Sequence, residues 1–357
     1  MAIIKLIIAF ILSLSQVMAP VEILINAGGE EAFFTEWSVN DTFDETDYIT
    51  IEKSPDEDFV ILNLADIQLH DDDVYGEMGE RSNALIARLV EDHQPDLITL
   101  SGDNAWGTMA YIELVDYIDS FGIPWAPVMG NHDGEDCINE FWCAELFTEA
   151  ENCLFQFGPE DMGYGNYIIN ITENGSIIHT LFMMDTHDSR DYPVNDGTVL
   201  EDCYDHLWPR QIKWYKWAVN GIKELEGKTI ESTVIMHIPV VEYADAWEAA
   251  WDSEAEGFRP EYADTSFGVN REGVNGAPLN NGFFDVCKEL GSTKNMVCGH
   301  DHVNNFSIPY EGIRLTYALK LGEGCYYDED LIGGTTLTVN SAGSVDVEHH
   351  YLNLADF

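Results

Sequence analysis

Five short apolar runs in this chain each end on residues of the kind that bind metal ions. Residues 59–64 lead into Asp66 and Gln68, and residues 96–100 into Gly102, Asp103 and Asn104. Residues 125–129 lead into Gly130, Asn131, His132 and Asp133; residues 233–236 stop at His237; residues 295–298 run into Gly299, His300, Asp301 and His302. Helical patterns separate the runs, around 84–91, near 109–118, and from Pro209, where Ile212, Tyr215, Val219 and Ile222 share one face. Strands alternating with helices predict an α/β protein with a mostly parallel sheet. In such sheets ligands gather beyond the carboxyl ends of the strands, where all five sets of donors fall.

Carboxylate, amide oxygen and imidazole together suit borderline-to-hard divalent ions. Glycines before Asp103, Asn131 and His300 permit the sharp turns that converge those side chains. Any one of these motifs is commonplace; five in this order, each at a strand end, predict a metal centre. Elsewhere, residues 20–57 read as an acidic lead-in and residues 58–357 as one domain. The stretches 312–317, 335–339 and 344–351 read as a β-meander, and 242–279 as a long surface excursion.

The net charge is −49, from 16 Lys+Arg against 65 Asp+Glu, while 45% of residues are hydrophobic. That balance predicts a folded acidic protein rather than a disordered tail. It argues against nucleic acid or anionic membrane as partner, and leaves room for a small phosphorylated substrate where bound cations reverse the local field. Lys5 followed by the apolar run 6–12 reads as a signal peptide within residues 1–19, cut after Ser15 or Ala19. The protein is therefore expected to be secreted or lumenal, in the extracellular space or an acidic vacuole, with no stable membrane insertion after cleavage. Sequons at Asn40, Asn170, Asn174 and Asn305 agree with export. Of seven cysteines, Cys137, Cys143, Cys153 and Cys203 fall in loop-rich chain where bridges are expected, and Cys298 ends an apolar strand as a buried thiol.

Taken together, the five strand-end motifs resemble the calcineurin-like metallophosphoesterases over residues 58–340. Tyr164-Gly165-Asn166-Tyr167, His237-Ile238-Pro239 and Gly299-His300-Asp301-His302-Val303-Asn304 are most similar to the purple-acid-phosphatase-like subgroup. The resemblance implies a four-layer α/β/β/α sandwich with two mixed sheets and two divalent ions, Mn2+ foremost, with Fe, Zn or Mg as alternatives. It implies that Asp66, Gln68, Asp103 and His302 hold the first ion, and that Asp103 bridges to a second completed by Asn131, His237 and His300. His132 would donate a proton to the leaving oxygen while a metal-bound hydroxide attacks phosphorus, and Asn104 and His132 would lie against substrate. Two positions depart from the family pattern. Gln68 stands where the family usually has His, as in its manganese-dependent diphosphatase branch, and Trp106 stands where purple enzymes have the tyrosine that gives their colour.

The expectation is a phosphomonoesterase. A phosphodiesterase or nucleotide diphosphatase, suggested by Gln68, is one alternative; a metal-binding protein without turnover, its first site failed, is another. His70 is weighed as a substitute ligand, the segment 185–188 as a solvated loop or one that reaches the mouth of the site, with the loop preferred, and Arg190, Arg210, Arg271 and Lys320 as phosphate contacts. The oligomeric state is left open.

Overall fold

Alternate residues of the strand Ser176–Met183 face two different interiors. Leu181 and Met183 join one hydrophobic cluster with Ile169, Ile171, Ile235 and Val297. Phe182 joins a second with Ile168, Val234 and Met296. A strand buried on both faces belongs to an inner layer, and the computed structural model, which describes residues 33–135, 138–194 and 197–357, places two such sheets together.

The larger sheet has seven strands in the order Ile49–Glu52, Tyr167–Glu173, Ser176–Met183, Glu231–Ile235, Thr293–Cys298, Ile313–Tyr317 and Ser307–Tyr310. The smaller has five, Val345–Tyr351, Gly333–Val339, Phe59–Leu64, Leu97–Ser101 and Trp125–Val128. Helices Glu77–His93 and Thr108–Asp119 cover the smaller sheet, with Leu85, Ile86, Leu89 and Leu114 buried. Helices Pro209–Glu226 and Phe283–Leu290 cover the larger, where Tyr215 packs on Phe182 and Phe283. The helix, sheet, sheet, helix order is the expected one, and both sheets are mixed. The strand pairs that deliver ligands are parallel, Phe59–Leu64 with Leu97–Ser101 and Glu231–Ile235 with Thr293–Cys298. All their carboxyl ends therefore emerge on one rim.

Three expectations need correction. The C-terminal strands form no single meander: Ile313–Tyr317 lies in the larger sheet, while Gly333–Val339 crosses to the smaller one between Val345–Tyr351 and Phe59–Leu64. The crossing runs through the seam between the sheets, where Lys320 bridges to Ala65 and Ile332. Residues 20–57 are not all lead-in, since Ile49–Glu52 pairs in parallel with Tyr167–Glu173 and Phe43 is buried against Gly221. The excursion at 242–279 begins with the helix Glu242–Ala250 and the ribbon Trp251–Asp252 with Gly257–Phe258.

The expected bridges do not form among the described residues: Cys143, Cys153 and Cys203 are free thiols, and Cys143 donates to the Asp133 carbonyl at 3.1 Å. Cys137 and residues 1–19, expected to be a signal peptide, lie outside the described residues. Cys298 is buried as expected. Asn170 and Asn305 are buried and hydrogen-bonded to Thr180 and Tyr351, which removes them as glycan acceptors; Asn40 and Asn174 are exposed. No helix among the described residues is long and apolar enough to cross a membrane.

Candidate metal centre

The loops that follow these strands are wound into backbone that L-residues rarely adopt. Asp66, Gln68, Asp103 and His300 all have positive φ, from 47° to 81°, a concentration of strain typical of functional sites. Close approach demands the glycines. A Cβ on Gly102 would meet the His237 ring at 2.6 Å, and one on Gly299 would overlap the Asp66 carboxylate. Asp133 buckles two of the loops together. Its carboxylate accepts from the backbone N–H of Gly130 and of Asn104, both at 2.7 Å, and from the Tyr111 hydroxyl. Burial and the nearby charge of Asp103 push the Asp133 carboxyl up to about 6.

Asp66, Asp103 and His237 present ligand atoms that all lie within 4.8 Å of one another. His237 donates from Nδ1 to the Ser101 carbonyl at 2.9 Å, a bond that fixes its tautomer and turns Nε2 into the site. That nitrogen lies 3.0 Å from Asn131 Oδ1, 3.3 Å from Asp103 Oδ1 and 3.3 Å from His300 Nδ1. Burial alone would lower the His237 pKa, but the Asp103 charge outweighs it and pushes the ring up to about 9. Burial would likewise raise Asp103, but His237 holds its carboxyl well below the usual range. A proton on Nε2 thus ties together four groups whose remaining atoms are lone-pair donors. A divalent cation among them would satisfy the same four, so Asp103, Asn131, His237 and His300 fit the second metal position.

The first position is less regular. His302 donates Nδ1–H to the Tyr326 carbonyl at 2.9 Å and points Nε2 at Asp66, 3.5 Å away. Burial and the Lys320 charge push the His302 pKa down to about 2; burial and the His237 charge push His300 down to about 3. Both rings are therefore neutral and able to ligate. Gln68 does not match its expected role, because neither polar atom of its side chain is free. Nε2 donates to Asp103 Oδ2 at 2.9 Å, and Oε1 accepts from the Lys320 ammonium at 2.8 Å.

His132 lies at the mouth, beside Trp106 with rings edge to face at 4.7 Å. Its backbone N–H donates to Asp103 Oδ1 at 2.9 Å. Nδ1 stands 3.1 Å from Glu135 Oε1, close enough for an ion pair although not aligned as a hydrogen bond. The mouth opens to a cleft of about 550 Å³ lined by Asn131, Glu135, Glu140, Asp188, Arg190 and Trp208 among others.

Of the other expected residues, Asn104 is buried. Its Nδ2 holds the loop by donating to Val128 O and Asp133 Oδ2. His70 faces Trp106 and not the metal positions. The 185–188 segment is no solvated loop: Asp185 and Thr186 are buried, and Thr186 Oγ1 accepts from Ile238 N–H. Arg210 binds the carbonyls of Glu160 and Trp37, and Arg271 pairs with Asp328 and Asp330, which occupies both internally. Lys320 is buried and directed at Gln68. Sequence reasoning also passed over Glu135, Asp133, and the rings of Tyr204 on His300 and Tyr326 on His302. Only Asp133 carried a signal, through its place beside Asn131 and His132.

Sequence comparison adds relatives. The chain is similar to the "Probable inactive purple acid phosphatase 14" of Arabidopsis thaliana, 29% identical over 260 residues, covering 66% of this chain and 61% of that protein. It is similar also to "Phosphatase DCR2" of Saccharomyces cerevisiae, 25% identical over 243 residues, covering 64% of this chain and 39% of the other. The match thus spans about three fifths of the plant relative. Among solved structures, a dimetal phosphatase from Danio rerio aligns with a TM-score of 0.48 and 13% identity over 84% of this chain and 99% of that one, too loosely to transfer any residue role. The sequence profile of the calcineurin-like phosphoesterases matches residues 59–304, from the first ligand-bearing strand to the loop that carries His300 and His302, and this chain belongs to that family.

Proposed function

We propose that this chain is a secreted, metal-dependent phosphoric ester hydrolase that acts on small phosphomonoesters. The observation that carries the reading is the convergence of Asp103, Asn131, His237 and His300 beside an accessible His132. Asp66, Asp103 and His302 would hold a first ion and the four-residue cluster a second, a mixed carboxylate, amide and imidazole set that suits Mn2+ among the borderline-to-hard divalent ions. Divalent ions bound there supply Lewis acidity toward phosphoryl oxygen and acidify a water.

The chain's own residues supply the rest. Asp103 stays anionic beside His237, so the centre keeps its negative charge at neutral pH. Glu135 faces His132 Nδ1, which leaves Nε2 as the nitrogen to act as proton donor to a leaving oxygen. Arg190, half-exposed on the cleft wall, is the cation best placed to meet the substrate's ester group. The monoester preference is supported by similarity to the purple-acid-phosphatase-like subgroup. Support for a diphosphatase came from Gln68 as an oxygen ligand, and here that oxygen is bonded to Lys320. The same bond favours one second reading, a metal-binding protein without turnover, in keeping with the word "inactive" in the plant relative's name.

The test is hydrolysis of matched aryl phosphate mono- and diesters by metal-stripped protein titrated with manganese, with Asp103→Asn as control. Manganese-dependent monoester turnover that vanishes in the control is expected. Diester turnover alone would replace the reading with a phosphodiesterase, and silence on both, across several divalent ions, would replace it with the non-catalytic one.

A further inference from the structure

Lys320 is 2% exposed, and its ammonium has two oxygen partners at the centre, the Asp66 carbonyl at 2.7 Å and Gln68 Oε1 at 2.8 Å. An ammonium carries only protons, so the Gln68 atom facing it must be the oxygen. The amide NH2 then has to face Asp103 Oδ2, as it does at 2.9 Å. A proton donor therefore points at one oxygen of the carboxylate that would bridge two ions, and the one side-chain atom of Gln68 able to ligate already accepts from a cation, which opposes a second one there.

This arrangement is built into the backbone. Lys320 pairs as an isolated bridge with both Ala65 and Ile332, and Leu321 N–H donates to the Ala65 carbonyl at 2.9 Å. The following turn lies so close over the first ligand loop that a Cβ on Gly322 would overlap the Ile67 carbonyl, and one on Gly324 the Gln68 carbonyl. The backbone at Lys320 is thus fixed to the first ligand loop, and its side chain is buried there.

We infer that Lys320, acting through Gln68, makes the two metal positions unequal: its tethered ammonium supplies positive charge at the first position, so the chain holds one divalent ion tightly at Asp103, Asn131, His237 and His300 and a second only weakly at Asp66 and His302. The inference rests on the metal-dependent reading proposed above and sets how that site responds to metal supply. A positive charge beside Asp66 weakens its attraction for a cation, and the turned amide costs the first position a ligand. Lys320 is a positioning residue here, since it acts through Gln68 and Asp66.

The experiment is calorimetric titration of the metal-stripped full chain with manganese, paired with metal counting by native mass spectrometry after desalting. Wild type is expected to retain one ion per chain and to bind a second roughly a hundredfold more weakly. Lys320→Met, which keeps the apolar stem and removes the charge, is expected to bring the two steps within about tenfold of each other. His237→Ala is expected to lose the tight step. Two ions of equal affinity in wild type overturn the inference whether or not the variant folds. An unchanged weak step in a Lys320→Met protein that keeps its tight ion and its circular dichroism also overturns it. Hydrolysis is scored separately: one tight ion without turnover would sink the proposed activity and leave this inference standing, and turnover with two equal ions would do the reverse.

Discussion

His132 and His237 do different work with the same ring. His132 is partly exposed and backed by Glu135, whereas His237 is sealed in with Asp103. Replacing His132 with Asn is expected to lower kcat by about 10² to 10⁴ while leaving metal content unchanged, because in the proposed mechanism the ring donates a proton and holds no ion. A loss of metal in that variant, counted by mass spectrometry, would contradict the assignment. His237 predicts a proton balance. With its pKa pushed up to about 9 by Asp103 against the opposing effect of burial, the ring carries a proton at neutral pH that a cation must displace. Metal uptake near pH 7 should release about one proton, seen by calorimetry in buffers of different ionisation enthalpy. Affinity should rise about tenfold per pH unit toward 9 and level off above it.

Among the elements, the ligand loops are held by contacts with no spare volume. Gly299 lies directly against the Asp66 carboxylate, so Gly299→Ala should move Asp66, abolish manganese-dependent turnover, and cost about 1 to 3 kcal/mol of stability. Thermal melts together with metal counting would check this, and near-normal turnover in the variant would count against the site. The loops were the most legible part of the sequence, because each strand and its terminal ligands lie within a few residues of one another. The C-terminal strands were not. Gly333–Val339 is buried on both faces, and nothing local says that its partner is Phe59–Leu64 rather than Ile313–Tyr317. The 185–188 segment misled for a similar reason. Its polar residues are buried because Tyr164, Gln211 and Ile238 supply their hydrogen bonds.

Across the whole molecule, a net charge of −49 works against compactness. Glu140 adds to this at the cleft, where burial and the charges of Asp185 and Asp188 push its carboxyl up to about 8 from the ordinary 4.5. A raised carboxyl favours the fold below its unfolded pKa and loses that contribution as pH climbs through the folded one. Protonated His237 acts in the same direction between 6.5 and about 9. Buried His300 and His302, with pKa values pushed down to about 3 and 2, act the opposite way below 6.5, so the metal-free protein should melt at steadily lower temperature from about pH 7 to 9, and added salt should narrow the difference. Glu140→Gln should flatten the acid half of the curve in fluorimetric melts; a curve that rises over this range would refute the account.

The sequence alone determined the layered α/β architecture and the rim on which the expected ligand residues gather, since strand period, glycine and donor type are written locally. Only the tertiary structure decided what Gln68 does. Its partner Lys320 lies more than two hundred residues away along the chain, beyond a strand that resembles any other, and reaches the centre only because the two sheets meet along the seam that carries it. Charge and hydrogen-bond geometry, which decide whether an oxygen is free to bind a cation, depend on which buried groups become neighbours, and that is settled by packing.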